Sequence, residues 1–214
     1  FSSYLTIFYV CGGDNDLGAK YMGLFGTVTT FSTLAAIAGV TWISSRIGKR
    51  KTFIIAISIM LFGSILKWFC YDPMTTWLVI LPAPFIAVGM GALFTLMGSM
   101  VADVCDLDEL ETGERREGMF GAIYWWMVKL GMALAFGASG FLLNATGFVV
   151  DFGGAQTSST FFWMRVVDVG IPAAGCIIAI FSVASFKITE ERSYEIRSEL
   201  EKRRGKTIVP EKVS

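Results

Sequence analysis

The sequence predicts an all-α membrane protein that crosses the bilayer several times, and three observations carry that expectation. Apolar residues fill 54% of the 214 positions and charged residues only 17%, with a mean hydropathy of +0.60, a balance suited to lipid rather than to water. The apolar residues are gathered into runs of ~20, the length that spans a hydrocarbon core as a helix. Charge is concentrated in the links between the runs, so that a lysine inside one of them, Lys129, stands out.

The same composition excludes several classes of function. A formal net charge of zero, with basic residues in short clusters, argues against a nucleic-acid partner. The chain has no histidine, which removes histidine-based triads and imidazole metal sites. Cys11, Cys70, Cys105 and Cys176 form no C-x-x-C pair, so no metal site is expected and the cysteines read as packing residues. With no nucleophile-base set in view, an enzyme is not expected.

In chain order, residues 1–11 are apolar but reach only ~16 Å as a helix, half of a bilayer core. This span is expected to be truncated, the chain beginning inside a helix. With no basic leader and no cleavage site it does not read as a signal peptide. The second span, residues 21–45, is rich in Thr27, Thr29, Thr30, Ser32 and Thr33. Hydroxyls in a membrane either bond back to helix carbonyls or wall a solute cavity.

The turn SRIGKRK leads to a third span, residues 52–70. The fourth, residues 77–102, carries Pro82 and Pro84, expected to kink its outer half, and then Gly91, Thr95 and Ser99 in steps of four. Such a stripe of small residues lets a second helix approach closely. Residues 103–117 read as a loop with seven acids and two arginines. The fifth span covers residues 118–144 and the sixth residues 161–186. Residues 187–214 read as a tail with a short surface helix, marked by Ile188, Tyr194, Ile196 and Leu200, and a disordered end.

Orientation follows from Lys and Arg, which are gathered after the second and fourth spans and in the tail. The positive-inside rule then places both ends of this multi-pass chain in the cytoplasm, and the membrane expected is the plasma (inner) membrane.

Lys129 lies eleven residues into its span, ~16 Å deep and too far for its stem to reach an interface. A charge at that depth costs at least ~2.5 kcal/mol on insertion scales. It is expected to face a central cavity, the competing assignment being a structural tie within the bundle. Tyr124, Trp125 and Trp126 precede it by about one turn, so the tryptophans can flank the lysine and offer a stacking surface with an indole donor; plain core packing competes. Asp103, continuing the small-residue stripe, is expected to pair with Arg115 and Arg116 as a gate that opens and closes, against the default of a solvated charge run. Arg165 and Asp168 read as a local ion pair, and Lys67 as a lysine that reaches for the interface.

Two motifs carry a resemblance. SRIGKRK resembles the basic turn of the major facilitator superfamily. MVADVCDLDELETGERREG, followed by MVKLG and a glycine-rich helix, resembles the glycoside-pentoside-hexuronide cation symporters of the melibiose permease type. The resemblance implies twelve helices in two six-helix bundles around a central sugar site, with this chain as the second bundle and its first helix truncated. It implies that the missing amino-terminal half holds the cation-binding carboxylates, and that the co-transported ion is Na+ or H+, with no cofactor. It also places Lys129 at the family's membrane-embedded lysine, which implies a part in coupling cation to sugar, Tyr124 and Trp125 where that helix contacts sugar, with the tryptophans able to stack on a sugar ring, and Phe94 where a tryptophan lines the cavity. Trp125 stands where a small polar residue is usual, and Phe94 cannot donate a hydrogen bond, so the substrate is expected to differ.

The function expected is secondary active transport of a sugar or glycoside with a cation, by alternating access. The partners expected are a small-molecule sugar, the lipid bilayer and the other half of the transporter. Two rivals remain at this point: a carrier of a lipid-like or amphipathic solute, and a non-transporting receptor or scaffold.

Overall fold

A computed structural model describes residues 1–186 and 189–205. Ile188 and the expected disordered end of the tail lie outside the described residues. Among the described residues the chain is helical throughout, without strands.

Helix α1 is a short turn, Ser2–Tyr4, continued by a wider π-helical stretch, Leu5–Val10. Helix α2, Asn15–Ile47, is started by Asp14, whose carboxylate accepts the amide hydrogens of Asp16 and Leu17, each at 3.0 Å. This is an N-cap satisfying two orphan donors. Gly48 then separates α2 from α3, Lys49–Cys70, with φ at 87°, a backbone that a side chain would strain. One residue therefore reverses the chain.

Pro82 and Pro84 do not kink a span that begins near Trp77. They end a 3-10 stretch, Thr76–Ile80, and start α4, Ala83–Thr112, with Pro82 at its cap and Pro84 in its first turn. Proline is tolerated there because the first amides of a helix have no intrahelical acceptor. At the other end α4 continues well past residue 102, until Gly113 closes it with φ at 76°. Most of the acidic stretch read as a loop is thus helix, and only residues 113–116 link it to α5, Glu117–Ala145. Helix α6, Ser158–Ala184, contains Pro172, and α7, Glu190–Arg203, is capped by the Thr189 hydroxyl.

Helix α4 is the centre of the packing, lying against α2 and α3, while α3 also packs against α6. Glycine makes these approaches close. A Cβ at Gly63 of α3 would come within 2.6 Å of the Phe85 Cβ, and one at Gly91 of α4 within 3.2 Å of the Ala36 Cβ on α2. Two apolar cores result. One joins Val40, Phe53, Ile57, Leu96 and Val183 toward the α7 end, and the other joins Leu5, Tyr71, Phe148, Phe161 and Met164 at the opposite end. Helix α5 meets α4 but buries none of its residues.

Candidate functional site

Between α2 and α4 lies a recess of about 300 Å³ lined by Thr29, Thr30, Thr33, Leu34, Met90 and Phe94. The threonine hydroxyls are committed as donors. Thr29 donates to the Phe25 carbonyl at 2.7 Å, Thr30 to Gly26 at 2.9 Å and Thr33 to Thr29 at 2.8 Å. Back-bonding of this kind satisfies a hydroxyl in lipid, yet each oxygen keeps a lone pair. The wall can therefore accept hydrogen bonds from a ligand but not donate them. Opposite stands the Phe94 ring, 68% exposed, which supplies an apolar face and likewise no donor.

Tyr124, Trp125 and Lys129 lie on α5 outside this recess. Tyr124 and Trp125 meet edge to face with centroids 5.4 Å apart. Trp125, Trp126 and Lys129 are exposed, and among the described residues Lys129 has no carboxylate partner. In a membrane chain, exposure means contact with lipid, a cavity or other polypeptide, and an ammonium far from either end of its helix is compatible only with the last two. The structure thus sets Phe94 in one wall and the α5 residues in another, without joining them.

Asp103 is 4% exposed and stands in a cluster that the sequence did not disclose. Lys49 of α3 donates to both its oxygens, at 2.9 and 2.7 Å, and Ser193 and Arg197 of α7 reach it at 2.9 and 3.2 Å. Arg197 also meets Asp106 at 3.5 Å, Arg204 meets Glu109 at 2.5 Å, and Arg203 donates to the Leu110 carbonyl at 3.0 Å. Helix α7 therefore runs beside the last two turns of α4 in the same direction, with Ile196 and Leu200 buried beneath it. The expected pairing of Asp103 with Arg115 and Arg116 is not what the structure holds. Arg116 makes a forked contact with Asp108, at 3.0 and 2.9 Å, and Arg115 lies between Glu109 and Glu117. The continuous helix 83–112 aims Asp103 toward α3 and α7 instead. The hints were there: Asp103 continues the small-residue stripe, and Ser193, Arg197, Leu200 and Arg204 repeat at helical spacing.

The opposite end shows a second correction. Lys67 does not reach for the interface but meets Asp168 at 2.7 Å, and Asp168 also accepts from the Tyr71 hydroxyl at 2.7 Å. Arg165 turns away from Asp168, donating to the Trp68 and Tyr71 carbonyls and lying between the rings of Tyr9 and Trp68 at 5.2 and 5.0 Å. Packing of α3 on α6 brings Lys67 to the carboxylate, and that proximity overrides the local i,i+3 spacing.

Among the described residues, five helices long and apolar enough to cross a membrane, packed through glycines around α4, define a multi-pass membrane protein. The chain belongs to the family of MFS/sugar transport proteins, whose model matches residues 6–190. It is 36% identical to an uncharacterised symporter of Synechocystis sp. over 129 residues, 56% of this chain and 23% of that protein. A glucuronide carrier protein homolog of Escherichia coli is 24% identical over 199 residues, 93% of this chain and 43% of the carrier. An isoprimeverose transporter of Lactiplantibacillus pentosus is 24% identical over 155 residues, 72% of this chain and 32% of the transporter. These relatives agree with the resemblance to the glycoside-pentoside-hexuronide symporters. The chain spans less than half the length of each of them. No solved structure matches it.

Proposed function

We propose that this chain is the second bundle of a secondary transporter that carries a sugar or glycoside with Na+ or H+ across the plasma membrane, its α7 end in the cytoplasm. The observation that carries the proposal is the recess of Thr29, Thr30, Thr33 and Phe94. A sugar ring offers hydroxyl donors around its edge and an apolar face, and the recess offers acceptors beside an aromatic ring. Phe94 lines the recess from α4, and Tyr124 and Trp125 offer the sugar a separate aromatic surface on α5, outside that recess. Lys129 acts in coupling, pairing with a carboxylate of the other bundle when the cation leaves. Asp103 gates the cytoplasmic end through Lys49 and Arg197, while Arg115 and Arg116 brace the link between α4 and α5. The relatives named as a symporter, a glucuronide carrier and an isoprimeverose transporter support this assignment.

The test is uptake of a panel of radiolabelled glycosides by the full-length transporter in proteoliposomes, under an imposed Na+ or H+ gradient. Accumulation of at least one glycoside, abolished when the gradient is collapsed, is the expected result. Accumulation of none, with transport of an amphipathic non-sugar instead, overturns the sugar assignment.

A further inference from the structure

Beside the α2–α3 turn lies a cavity of about 550 Å³ whose walls come from the end of α2, the start of α3 and the start of α7. Three of its side chains are cations: Arg46, Arg50 and Lys51. Among the described residues none of the three is in an ion pair, although their neighbour Lys49 is bound to Asp103 and Arg197 to Asp103 and Asp106. Arg50 spends one guanidinium hydrogen on the Ala184 carbonyl and keeps the others. Arg46 lies over the Trp42 ring, 5.2 Å from its centroid.

The cavity also has two acids, and they do not neutralise it. Glu190 accepts from the Lys49 backbone amide at 3.1 Å, serving as the cap that Gly48 cannot supply. Glu191 makes no ion pair among the described residues, and the three cations against two acids leave the cavity with one net positive charge.

The surroundings point to lipid. Trp42 near the end of α2 and Tyr194 on α7 are each 63% exposed, and an exposed tryptophan at the end of a membrane helix sits at the headgroup level. Ile47 lines the cavity and is 41% exposed, so its apolar surface continues into the polar pocket. This is the arrangement that holds a phosphate among basic side chains while a chain attached to it lies along an apolar edge.

We infer that this cavity binds the phosphate group of an anionic phospholipid, with Arg46, Arg50 and Lys51 as its donors and Trp42 and Ile47 along the glycerol and upper acyl region. The site is separate from the recess of Thr33 and Phe94, and its occupancy does not depend on what the transporter carries.

The experiment uses the full-length transporter in detergent, titrated with dioleoyl-phosphatidylglycerol or dioleoyl-phosphatidylcholine and read by native mass spectrometry. The wild type binds the anionic lipid about tenfold more tightly, and R46Q/R50Q/K51Q loses that preference. Equal preference in the wild type and the triple variant overturns the proposal. Inorganic phosphate at millimolar concentration distinguishes the source: failure to displace the lipid supports the lipid site, and full displacement overturns it in favour of a free-phosphate site. Glu191→Lys, which adds a cation while the three donors stay in place, tightens binding of phosphatidylglycerol. Weaker binding by that variant counts against the site even where the triple variant fails to fold.

Discussion

Arg197 of α7 holds its guanidinium 3.2 Å from Asp103 Oδ1 of α4, an oxygen that Lys49 and Ser193 also reach, each at 2.9 Å. The two cations are unequal. Arg197 is half exposed, whereas Lys49 is 19% exposed. An exposed pair contributes little because water and salt screen it, while removal of a buried carboxylate strands the cation it served. Arg197→Gln is expected to weaken docking of α7 by less than ~1 kcal/mol, and Asp103→Ala by roughly 1–3 kcal/mol because Lys49 is left unpaired. Hydrogen exchange at the amides of Ile196 and Leu200 measures both. Equal protection in the two variants would show that the apolar contacts alone dock the helix.

Lys129→Ala is expected to insert into the membrane normally and to lose cation-driven accumulation while keeping downhill exchange. Proteoliposome uptake with and without the imposed gradient separates the two. Accumulation at the wild-type rate would remove Lys129 from the coupling mechanism.

Thr33→Val keeps the shape of the recess and removes one acceptor. A single neutral hydrogen bond is worth ~0.5–1.5 kcal/mol, so KM for the transported glycoside should rise roughly threefold to tenfold with little change in kcat. Phe94→Ala, which removes the ring itself, should cost more. If Thr33→Val leaves KM where it was, the threonine oxygens serve only their own helix.

Gly63→Ala tests the packing of α3 on α4. Its new methyl would sit 2.6 Å from the Phe85 Cβ and 3.2 Å from the Ile86 backbone nitrogen, atoms that cannot turn aside as a long side chain can. Overpacking of this kind costs ~1–3 kcal/mol, seen as a lower unfolding temperature in detergent. An unchanged midpoint would mean that the helices slide apart freely.

Asp72, in the link before α4, accepts from the Thr75 hydroxyl at 2.5 Å and the Met74 amide at 3.0 Å, and these bonds hold its carboxyl below the usual range. A depressed carboxyl stabilises its turn above the unfolded value of ~3.9 and loses that contribution as pH falls through the folded one. Protection of the Met74 amide should therefore be flat from neutral pH down to ~4 and fall below it. In Asp72→Ala the acid-dependent drop should be absent.

The apolar spans were legible because a bilayer demands long runs of hydrocarbon, and the five helices among the described residues that are long and apolar enough to cross it follow from that demand alone. What escaped was the continuation of α4 beyond residue 102. Asp106, Asp108 and Glu109 look like loop residues, yet Arg197, Arg116 and Arg204 from elsewhere in the chain neutralise them along a helix. Partner choice escaped for the same reason. Arg165 and Asp168 stand at pairing distance in sequence, but tertiary packing offers Asp168 a lysine and a phenol, and offers Arg165 two carbonyls and two rings. Of the candidate site, residue types were readable and their grouping was not, because Phe94 and Lys129 belong to different helices whose spacing no local pattern encodes.

Phe94 and Asp103 are nine residues apart on α4, about two and a half turns, so they point to opposite sides of one rod. The helix therefore shows one flank to the recess and the other to α7, and any tilt of α4 carries both flanks together. A fluorophore placed on the outer surface of α7 would ride on that rod without entering the solute path. The tail helix is in this sense a handle, a place from which movement of the bundle can be watched from the water.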